Sequence, residues 1–333
     1  MSRRGRGRDS RLPGLDGARP TDAGVTRRAL LLFGLMSLIW GIPYLFIRVA
    51  VAEISPAMLV FARTAIAALL LLPIALLRVD LRPVLVRWRW LVAFAAVEIG
   101  LPWVLLGSAE QRLASSVSGL LVAGVPLVGT GIAAATRSRE RVGRTGLLGL
   151  LFGLAGVAAI VGVSVDASNA TALLQMAVVV VCYAVGPAIL ARRLGGLPSV
   201  GVMALSLSIC ALVYAPIAIA QRPAVVPSAG VLGAIAILAV LCTAVAFVVF
   251  AALIEEVGPV RATVVTYVNP AVAAVLGVAV LKEPFTIPMG VGFGFVILGS
   301  LLATRSSPAP GAPFRAGLGD GQLDAAEMDT SGG

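Results

Sequence analysis

The chain has 333 residues, of which 59% are hydrophobic and 13% are charged, and its mean hydropathy is +1.00. A soluble domain has roughly 45–50% apolar and about 25% charged residues, so this composition predicts an integral membrane protein instead. The sequence has no histidine, and Cys182, Cys210 and Cys242 all fall in apolar segments. We therefore expect no metal site and no cofactor.

Residues 1–28 form a basic tail that carries much of the net charge of +10. Its composition, rich in glycine and arginine, predicts a disordered cytosolic segment. Its arginines are Arg3, Arg4, Arg6, Arg8, Arg11, Arg19, Arg27 and Arg28. Attraction to acidic lipids and control of topology explain them better than nucleic-acid binding, so we expect no nucleic-acid partner. Residues 305–333 predict a second disordered cytosolic tail.

Between the tails, the sequence predicts ten transmembrane helices and an all-α integral membrane fold. A helix of about 20 apolar residues crosses a hydrocarbon core of about 30 Å, and runs of this length predict helices rather than barrel strands. The predicted spans are 29–48, 56–77, 90–109, 115–136, 145–165, 171–191, 199–220, 230–254, 259–281 and 286–304.

The distribution of basic residues predicts the orientation in the membrane, because cytoplasmic loops carry an excess of lysine and arginine. With the N-terminus inside, the cytoplasmic loops hold Arg78, Arg82, Arg87, Arg89, Arg137, Arg139, Arg141, Arg144, Arg192, Arg193 and Arg261. The opposite loops hold only Arg48, Arg112, Arg222 and Lys282. We therefore predict a multi-pass protein of the plasma (inner) membrane with both termini cytoplasmic.

The chain also repeats itself at an offset of about 143 residues. The segment Leu72-Pro73-Ile74-Ala75-Leu76 is echoed by Ala215-Pro216-Ile217-Ala218-Ile219, and Glu140 is echoed by Glu283. The two units, residues 29–165 and 171–304, each hold five predicted spans. Because five is odd, the second unit must cross the membrane in the opposite sense, which is an architecture typical of transporters.

Two charged side chains, Arg63 and Glu98, fall inside predicted spans, where a charge costs at least about 2.5–3.5 kcal/mol. Arg63 is either a structural arginine, snorkelled or paired with a carbonyl group, or a binding group for a carboxylate. Glu98 is either a hydrogen-bonded structural acid or a carrier of protons or cations. The two side chains could also pair with each other.

Further polar and aromatic residues lie beside helix-weakening prolines in the first, sixth and ninth spans: Trp40, Tyr44, Tyr183, Tyr267 and Asn269. Trp40 and Tyr44 are four residues apart, which predicts a shared helix face. Prolines at matched positions of two halves point to a central binding site, although prolines and rings that only fill the bundle are the alternative. We predict that this set lines a substrate cavity together with Arg63 and Glu98.

Two small-residue motifs predict close helix packing: Gly149-xxx-Gly153 in the fifth span and Gly290-xxx-Gly294 in the tenth. Their equivalent positions indicate that either the two halves or two protomers meet there, so a homodimer is a candidate assembly.

Several motifs resemble those of EamA-type carriers in the drug/metabolite transporter superfamily. They are Leu38-Ile39-Trp40-Gly41-Ile42-Pro43-Tyr44, Phe61-Ala62-Arg63, the stretch from Val257 to Thr263 that leads to Asn269-Pro270, and Leu281-Lys282-Glu283-Pro284. The resemblance covers roughly residues 29–304 and departs at Arg139-Glu140-Arg141. It implies a ten-helix, inverted-repeat secondary transporter that exports amino acids or other small metabolites through a cavity open alternately to each side.

The predicted function is therefore secondary active export of a small metabolite such as an amino acid, with Glu98 as a proton-linked group and the lipid bilayer as surroundings. Efflux of drugs or organic cations is the second candidate, and a non-transporting membrane scaffold is the third. No cluster of residues has catalytic spacing, so we predict no catalytic residues and no enzyme activity.

Overall fold

The computed structural model describes residues 26–135, 144–164, 169–257, 262 and 265–305, and every regular element in these ranges is a helix. The basic tail up to residue 25, the loop with Arg137, Arg139, Glu140 and Arg141, Arg261, and the tail from residue 306 lie outside the described residues. Predictions that concern those segments therefore stay predictions.

The helices follow the predicted spans in order. In the first half they are α1 (Arg27–Gly41, continued after Ile42 by Pro43–Ala50), α2 (Pro56–Arg78), α3 (Trp88–Glu110), α4 (Ser115–Val122, continued by Val125–Ala135) and α5 (Arg144–Ser164). In the second half they are α6 (Ala170–Arg193), α7 (Ser199–Ala220), α8 (Ala229–Ala236, Ile237–Val245 and Ala246–Val257), α9 (Val265–Leu281) and α10 (Ile287–Arg305). A short helix, Arg82–Val86, precedes α3.

Eight of these helices, α1 to α8, are long and apolar enough to cross a membrane. The apolar parts of α9 and α10 are shorter, and α9 has 17 residues. At 1.5 Å per residue, the described part of α9 is about 25 Å long, which is less than the typical hydrocarbon thickness. A multi-pass membrane protein is thus confirmed, and the count of ten spans remains a proposal.

Hydroxyl side chains begin several of the helices. Ser55 accepts a hydrogen bond from the Met58 N–H of α2 at 3.2 Å, and Pro56 fills the first helical position. Thr26 caps α1 in the same way through the Ala29 N–H at 3.0 Å. Each such cap contributes about 1 kcal/mol, so these helix starts are encoded locally.

Two helices contain a π-helical turn at equivalent positions of the two halves. The turns are Ala95–Gly100 in α3 and Ile237–Val245 in α8, the third helix of each half. A π turn widens the helix locally and is frequent at functional sites. In α8 the Thr243 hydroxyl donates to the Leu238 carbonyl five residues earlier, at 2.8 Å, which supports the wide turn.

The packing of the helices has an approximate two-fold symmetry. Three helices pack against their own counterparts: α2 against α7, α4 against α9 and α5 against α10. Several of the remaining contacts occur in matched pairs, since α3 packs on α6 as α8 packs on α1, and α2 packs on α8 as α7 packs on α3. The repeat seen in the sequence is therefore also present in the contacts between helices.

Glycines allow α5 and α10 to approach backbone to backbone. A Cβ atom on Gly156 would lie 2.5 Å from the Gly292 carbonyl oxygen, and one on Gly299 would lie 2.5 Å from the Gly149 carbonyl oxygen. A larger side chain at these positions would force the two helices apart.

The two predicted small-residue motifs differ in outcome. Gly149 and Gly153 do lie in the contact between α5 and α10. The second motif does not join the two halves, because a Cβ atom on Gly294 would meet nothing within 4 Å in the described structure, and Gly290 faces Phe285 instead. A contact between two protomers at this motif stays a prediction. The register of α10 places Gly292 and Gly299 in the contact, which joins the two halves of one chain.

Candidate substrate-binding site

Arg63 of α2 points into the helix bundle and is only 7% exposed. Its Nε donates to the Thr243 hydroxyl of α8 at 2.9 Å, and its guanidinium carbon lies 3.6 Å from the centre of the Trp103 ring of α3. A desolvated cation over an indole ring is stabilised by about 2 kcal/mol or more. The arginine is therefore not snorkelled, and among the described residues it has no carbonyl partner.

Much of the hydrogen-bonding capacity of Arg63 remains unused. Guanidinium groups carry five N–H donors, and among the described residues only the Nε donor of Arg63 has a hydrogen-bond acceptor. The two terminal nitrogen atoms have the planar geometry that binds a carboxylate with two parallel hydrogen bonds. Tyr44, Tyr183 and Cys242 are close enough to interact electrostatically with this cation.

Glu98 lies on the π turn of α3, directly against α6. Its Oε2 is buried and has no hydrogen-bond partner in the described part of the chain. The same atom contacts Gly186, and any Cβ atom there would overlap it. Cys182 and Tyr183, on the preceding turn of α6, are electrostatic neighbours of the carboxyl group. Gly186 thus leaves the space that Glu98 occupies.

Arg63 and Glu98 do not form an ion pair with each other. The ion pair within the described ranges joins other residues, Arg28 and Glu256, whose charged atoms are 3.6 Å apart. Tyr183 is an electrostatic neighbour of both Arg63 and Glu98. A buried cation and a half-buried carboxyl group, with one buried oxygen, therefore lie near one phenol ring, and neither neutralises the other directly.

Tyr44 joins this group, whereas Trp40 lies elsewhere. Tyr44 is 7% exposed, interacts electrostatically with Tyr183 and Arg63, and lies 3.6 Å from a Cβ atom built on Gly119 of α4. Trp40 stacks on Phe250 of α8, with ring centres 4.7 Å apart and an interplanar angle of 44°. The helix is interrupted at Ile42 between the two rings, and they contact different parts of the bundle.

Asn269 connects α9 to α1. In the orientation that its surroundings favour, its amide nitrogen donates to the carbonyl groups of Ser37, at 3.2 Å, and Val265, at 2.9 Å. Tyr267 is half-buried. It lies two residues before Asn269, so the two side chains project from different faces of α9. The structure thus brings together Tyr44, Arg63, Glu98 and Tyr183, and it gives Asn269 a contact with α1 instead.

Two residues of this group, Trp103 and Thr243, are absent from the set predicted from the sequence. Thr243 is 1% exposed in an otherwise apolar helix, and a buried polar side chain in a span requires a partner. That requirement could have identified it. Trp103 offered no comparable signal, because a ring inside a span is ordinary until a cation is found above it.

The sequence matches the EamA-like transporter family twice, over residues 27–162 and 170–305. It is 28% identical over 289 residues to a protein of Escherichia coli named "Uncharacterized inner membrane transporter YedA", in the strains K12, O6:H1 and O157:H7. The match covers 84% of this chain and 92% of YedA.

A solved crystal structure has the same fold, with a TM-score of 0.60 and 20% sequence identity over 84% of this chain and 98% of that chain. The fold, the apolar helices and the double match together establish a membrane transporter. The chain belongs to the EamA-like transporter family.

Proposed function

We propose that the protein is a secondary active transporter that exports a small metabolite with a carboxylate and an amino group, such as an amino acid, by alternating access. The observation that carries this proposal is the arrangement of Arg63 and Glu98 around Tyr183. The free donors of Arg63 suit the substrate carboxylate, and the unpartnered carboxyl oxygen of Glu98 suits the ammonium group. The rings of Trp103, Tyr44 and Tyr183 would contact the rest of the substrate.

The proposed architecture is ten membrane-spanning helices in two inverted five-helix repeats, residues 29–165 and 171–304. Two observations support this architecture: the matched helix contacts of the two halves, and the two family matches of nearly equal length. The short helices α9 and α10 would cross by local thinning of the bilayer, which costs only a fraction of a kcal/mol per Å. Both termini, with the tails 1–28 and 305–333, would lie on the cytoplasmic side of the inner membrane, as the basic loops predict.

Coupling to protons follows from the surroundings of Glu98. The carboxyl group of Glu98 has a buried oxygen without a partner among the described residues and can therefore hold a proton, which a substrate ammonium group would replace when it binds. Competition of a proton and a substrate for one carboxylate produces antiport, because the site returns across the membrane with one or the other. Export is the direction that the resemblance to EamA-type carriers implies. No enzymatic reaction forms part of this cycle.

The proposal is tested by thermal-shift screening of the purified protein against amino acids, followed by flux of any stabilising compound in proteoliposomes. Arg63→Gln should abolish stabilisation by the amino acid, and Glu98→Gln should abolish dependence of flux on the pH gradient. Glu256→Gln, a change at the far end of α8, is the control and should keep both properties. Undiminished binding and flux in Arg63→Gln would contradict the proposal.

Efflux of organic cations is the second candidate, because Glu98 has an oxygen atom without a partner among the described residues, interacts electrostatically with Tyr183 and lies on the same helix as Trp103. An organic cation without a carboxylate, such as tetraphenylphosphonium, distinguishes the two functions. Stabilisation by this probe that survives in Arg63→Gln and is lost in Glu98→Gln would favour efflux of cations. A protein that responds to neither class of compound and shows no flux would be a scaffold instead.

A further inference from the structure

A second polar group lies where α3 ends, α4 begins and the loop between α9 and α10 folds back. The Glu283 carboxylate accepts hydrogen bonds from the backbone N–H groups of Ser115, at 2.7 Å, and Ser116, at 2.9 Å. Lys282 has a φ of 58°, a left-handed conformation that turns the chain, and the Glu283 N–H donates to the Gly277 carbonyl at 3.1 Å. A loop of the second half therefore caps a helix of the first half.

Glu283 carries a negative charge in this position. Its partial burial opposes ionisation, but the hydrogen-bonding groups of Ser116 and Ser115 outweigh burial and hold the pKa of this carboxyl below its usual range. The N-terminus of a helix also favours an anion. The capping contact thus places a full negative charge at the junction of the two halves.

Glu110, the last residue of α3, adds a second carboxyl group to this junction. It is 0% exposed, and neither of its carboxyl oxygen atoms has a hydrogen-bond partner among the described residues. The groups that interact with it electrostatically are Glu283 from the loop and Arg48 from α1, and Tyr44 of α1 is also a neighbour. Arg48 donates to the backbone carbonyl of Glu110 rather than to its carboxyl group.

The start of α4 contributes serine hydroxyl groups to the junction, besides the two backbone N–H groups that bind Glu283. The hydroxyl groups of Ser115, Ser116 and Ser118 are 0% exposed. Those of Ser115 and Ser116 lie at the Glu283 carboxylate, and that of Ser118 has no hydrogen-bond partner in the described structure. From α6, Gln175 approaches only the preceding turn of α3, where its amide donates to Ser108 at 3.0 Å. Buried oxygen atoms without partners are uncommon in folded proteins and require an explanation.

Among the partners found in the described ranges, the Glu110 carboxyl group interacts electrostatically with the Glu283 carboxylate and with the guanidinium group of Arg48, so two carboxyl groups meet one cation there. Hard cations prefer carboxylate and hydroxyl oxygens as ligands. No three His, Cys, Asp or Glu side chains that could hold a metal ion meet anywhere in the described ranges, so a divalent ion would lack its usual ligands. The imbalance matches one positive charge.

We propose that Glu110, Glu283 and the serine hydroxyls of α4 bind one small monovalent cation, either Na⁺ or a proton. The site lies twelve residues after Glu98 on α3, about 18 Å along the helix, and is therefore separate from the Arg63 group. Tyr44 interacts with both Arg63 and Glu110, which links the two regions. The cation would hold the loop between α9 and α10 against the start of α4, whichever substrate is carried.

The test compares thermal unfolding of the full-length purified protein with that of Glu110→Gln in two series. The first replaces choline chloride by NaCl or KCl at constant ionic strength and pH. If Na⁺ occupies the site, NaCl should raise the Tm of the native protein by about 3 °C or more at saturation, and KCl should not. Glu110→Gln should lose this rise.

The second series varies pH from about 5 to about 8 in choline chloride. If a proton occupies the site, the folded state binds a proton that the unfolded chain releases, so stability falls as the pH rises. The Tm of the native protein should then fall relative to that of Glu110→Gln. Glu53→Gln, a change in the loop between α1 and α2, is the matched control and should keep the native response in either series.

Identical responses of the native protein and Glu110→Gln in both series would overturn the proposal. If Glu110→Gln does not purify as a single species, Glu110→Asp takes its place, since it keeps the charge but withdraws the carboxylate by one methylene group. A Tm response to NaCl and to pH that is unchanged in Glu110→Asp would overturn the proposal equally.

Discussion

The π turns of α3 and α8 occupy equivalent positions in the two halves, yet they carry different chemistry. The turn in α3 holds Glu98, and the residue at the repeat offset in α8 is Leu241. The turn in α8 instead supplies Thr243, which orients Arg63 of the first half. The repeated backbone thus provides two wide turns. Sequence differences between the halves decide that the turn in α3 carries a charged side chain, Glu98, and that the turn in α8 orients one, Arg63.

The same asymmetry holds for Arg63, whose counterpart in α7 is Ser206. Arg63→Met should reduce affinity for the substrate by roughly 30-fold to 1,000-fold, because it removes a buried charged hydrogen-bond donor worth about 2–4 kcal/mol. Ser206→Ala should change stability and affinity little, since the buried Ser206 hydroxyl has no hydrogen-bond partner among the described residues. Binding isotherms and Tm measurements check both. Equal losses in the two variants would show that the halves contribute equally.

Gly186→Ala tests the contact that positions Glu98. The added methyl group would overlap the Glu98 carboxyl oxygen, so we expect a destabilisation of about 1–3 kcal/mol and a loss of at least about 10-fold in transport rate. Gly233→Ala in α8 is the control, because nothing lies within 4 Å of a Cβ atom there in the described structure. That variant should be neutral or more stable by up to about 1 kcal/mol.

Thr243→Val removes the hydroxyl that accepts from Arg63 Nε and keeps the shape of the side chain. The lost hydrogen bond should cost about 1–1.5 kcal/mol and weaken substrate binding by about 5-fold to 10-fold. Thr64→Val is the control, because the Thr64 hydroxyl donates only to carbonyl groups of its own helix, Val60 at 2.7 Å and Phe61 at 3.2 Å. An equal effect of both substitutions on affinity would contradict an orienting role of Thr243.

The sequence predicted the helical fold and the membrane location well, because long apolar runs and capping residues such as Ser55 act locally. It also identified Arg63 and Glu98, since a charge inside a span is rare whatever surrounds it. It could not predict the Trp103–Arg63 contact or the position of Thr243. Both depend on how α2, α3 and α8 are rotated against each other, and the π turns change that rotation.

Glu110 shows a second limit of sequence patterns. It lies at the end of a predicted span, where an acidic residue is expected to face water and needs no explanation. In the folded chain it is nevertheless 0% exposed, which only the packing of the helices can reveal. The face of α10 that packs on α5 could not be predicted for a related reason. The glycines at positions 290 and 294 fit the packing motif, but Gly292 and Gly299 are the ones in the contact.

Glu53 gives the smallest expected effect and extends the comparison of the halves to their loops. Its carboxylate accepts from the Ser228 hydroxyl, at 2.6 Å, and the Ser228 N–H, at 2.7 Å, just before α8, much as Glu283 caps α4. These hydrogen bonds hold the pKa of the Glu53 carboxyl below its ordinary value of 4.5. A lowered pKa adds stability above the ordinary value, and this stability disappears as the pH falls through the folded value. Glu53→Gln should therefore lower the Tm slightly at neutral pH, and this difference should vanish as the pH falls below the ordinary value and through the lowered pKa of the folded state. A difference in Tm that persists in acid would mean that the side-chain shape, and not its charge, fastens this loop to α8.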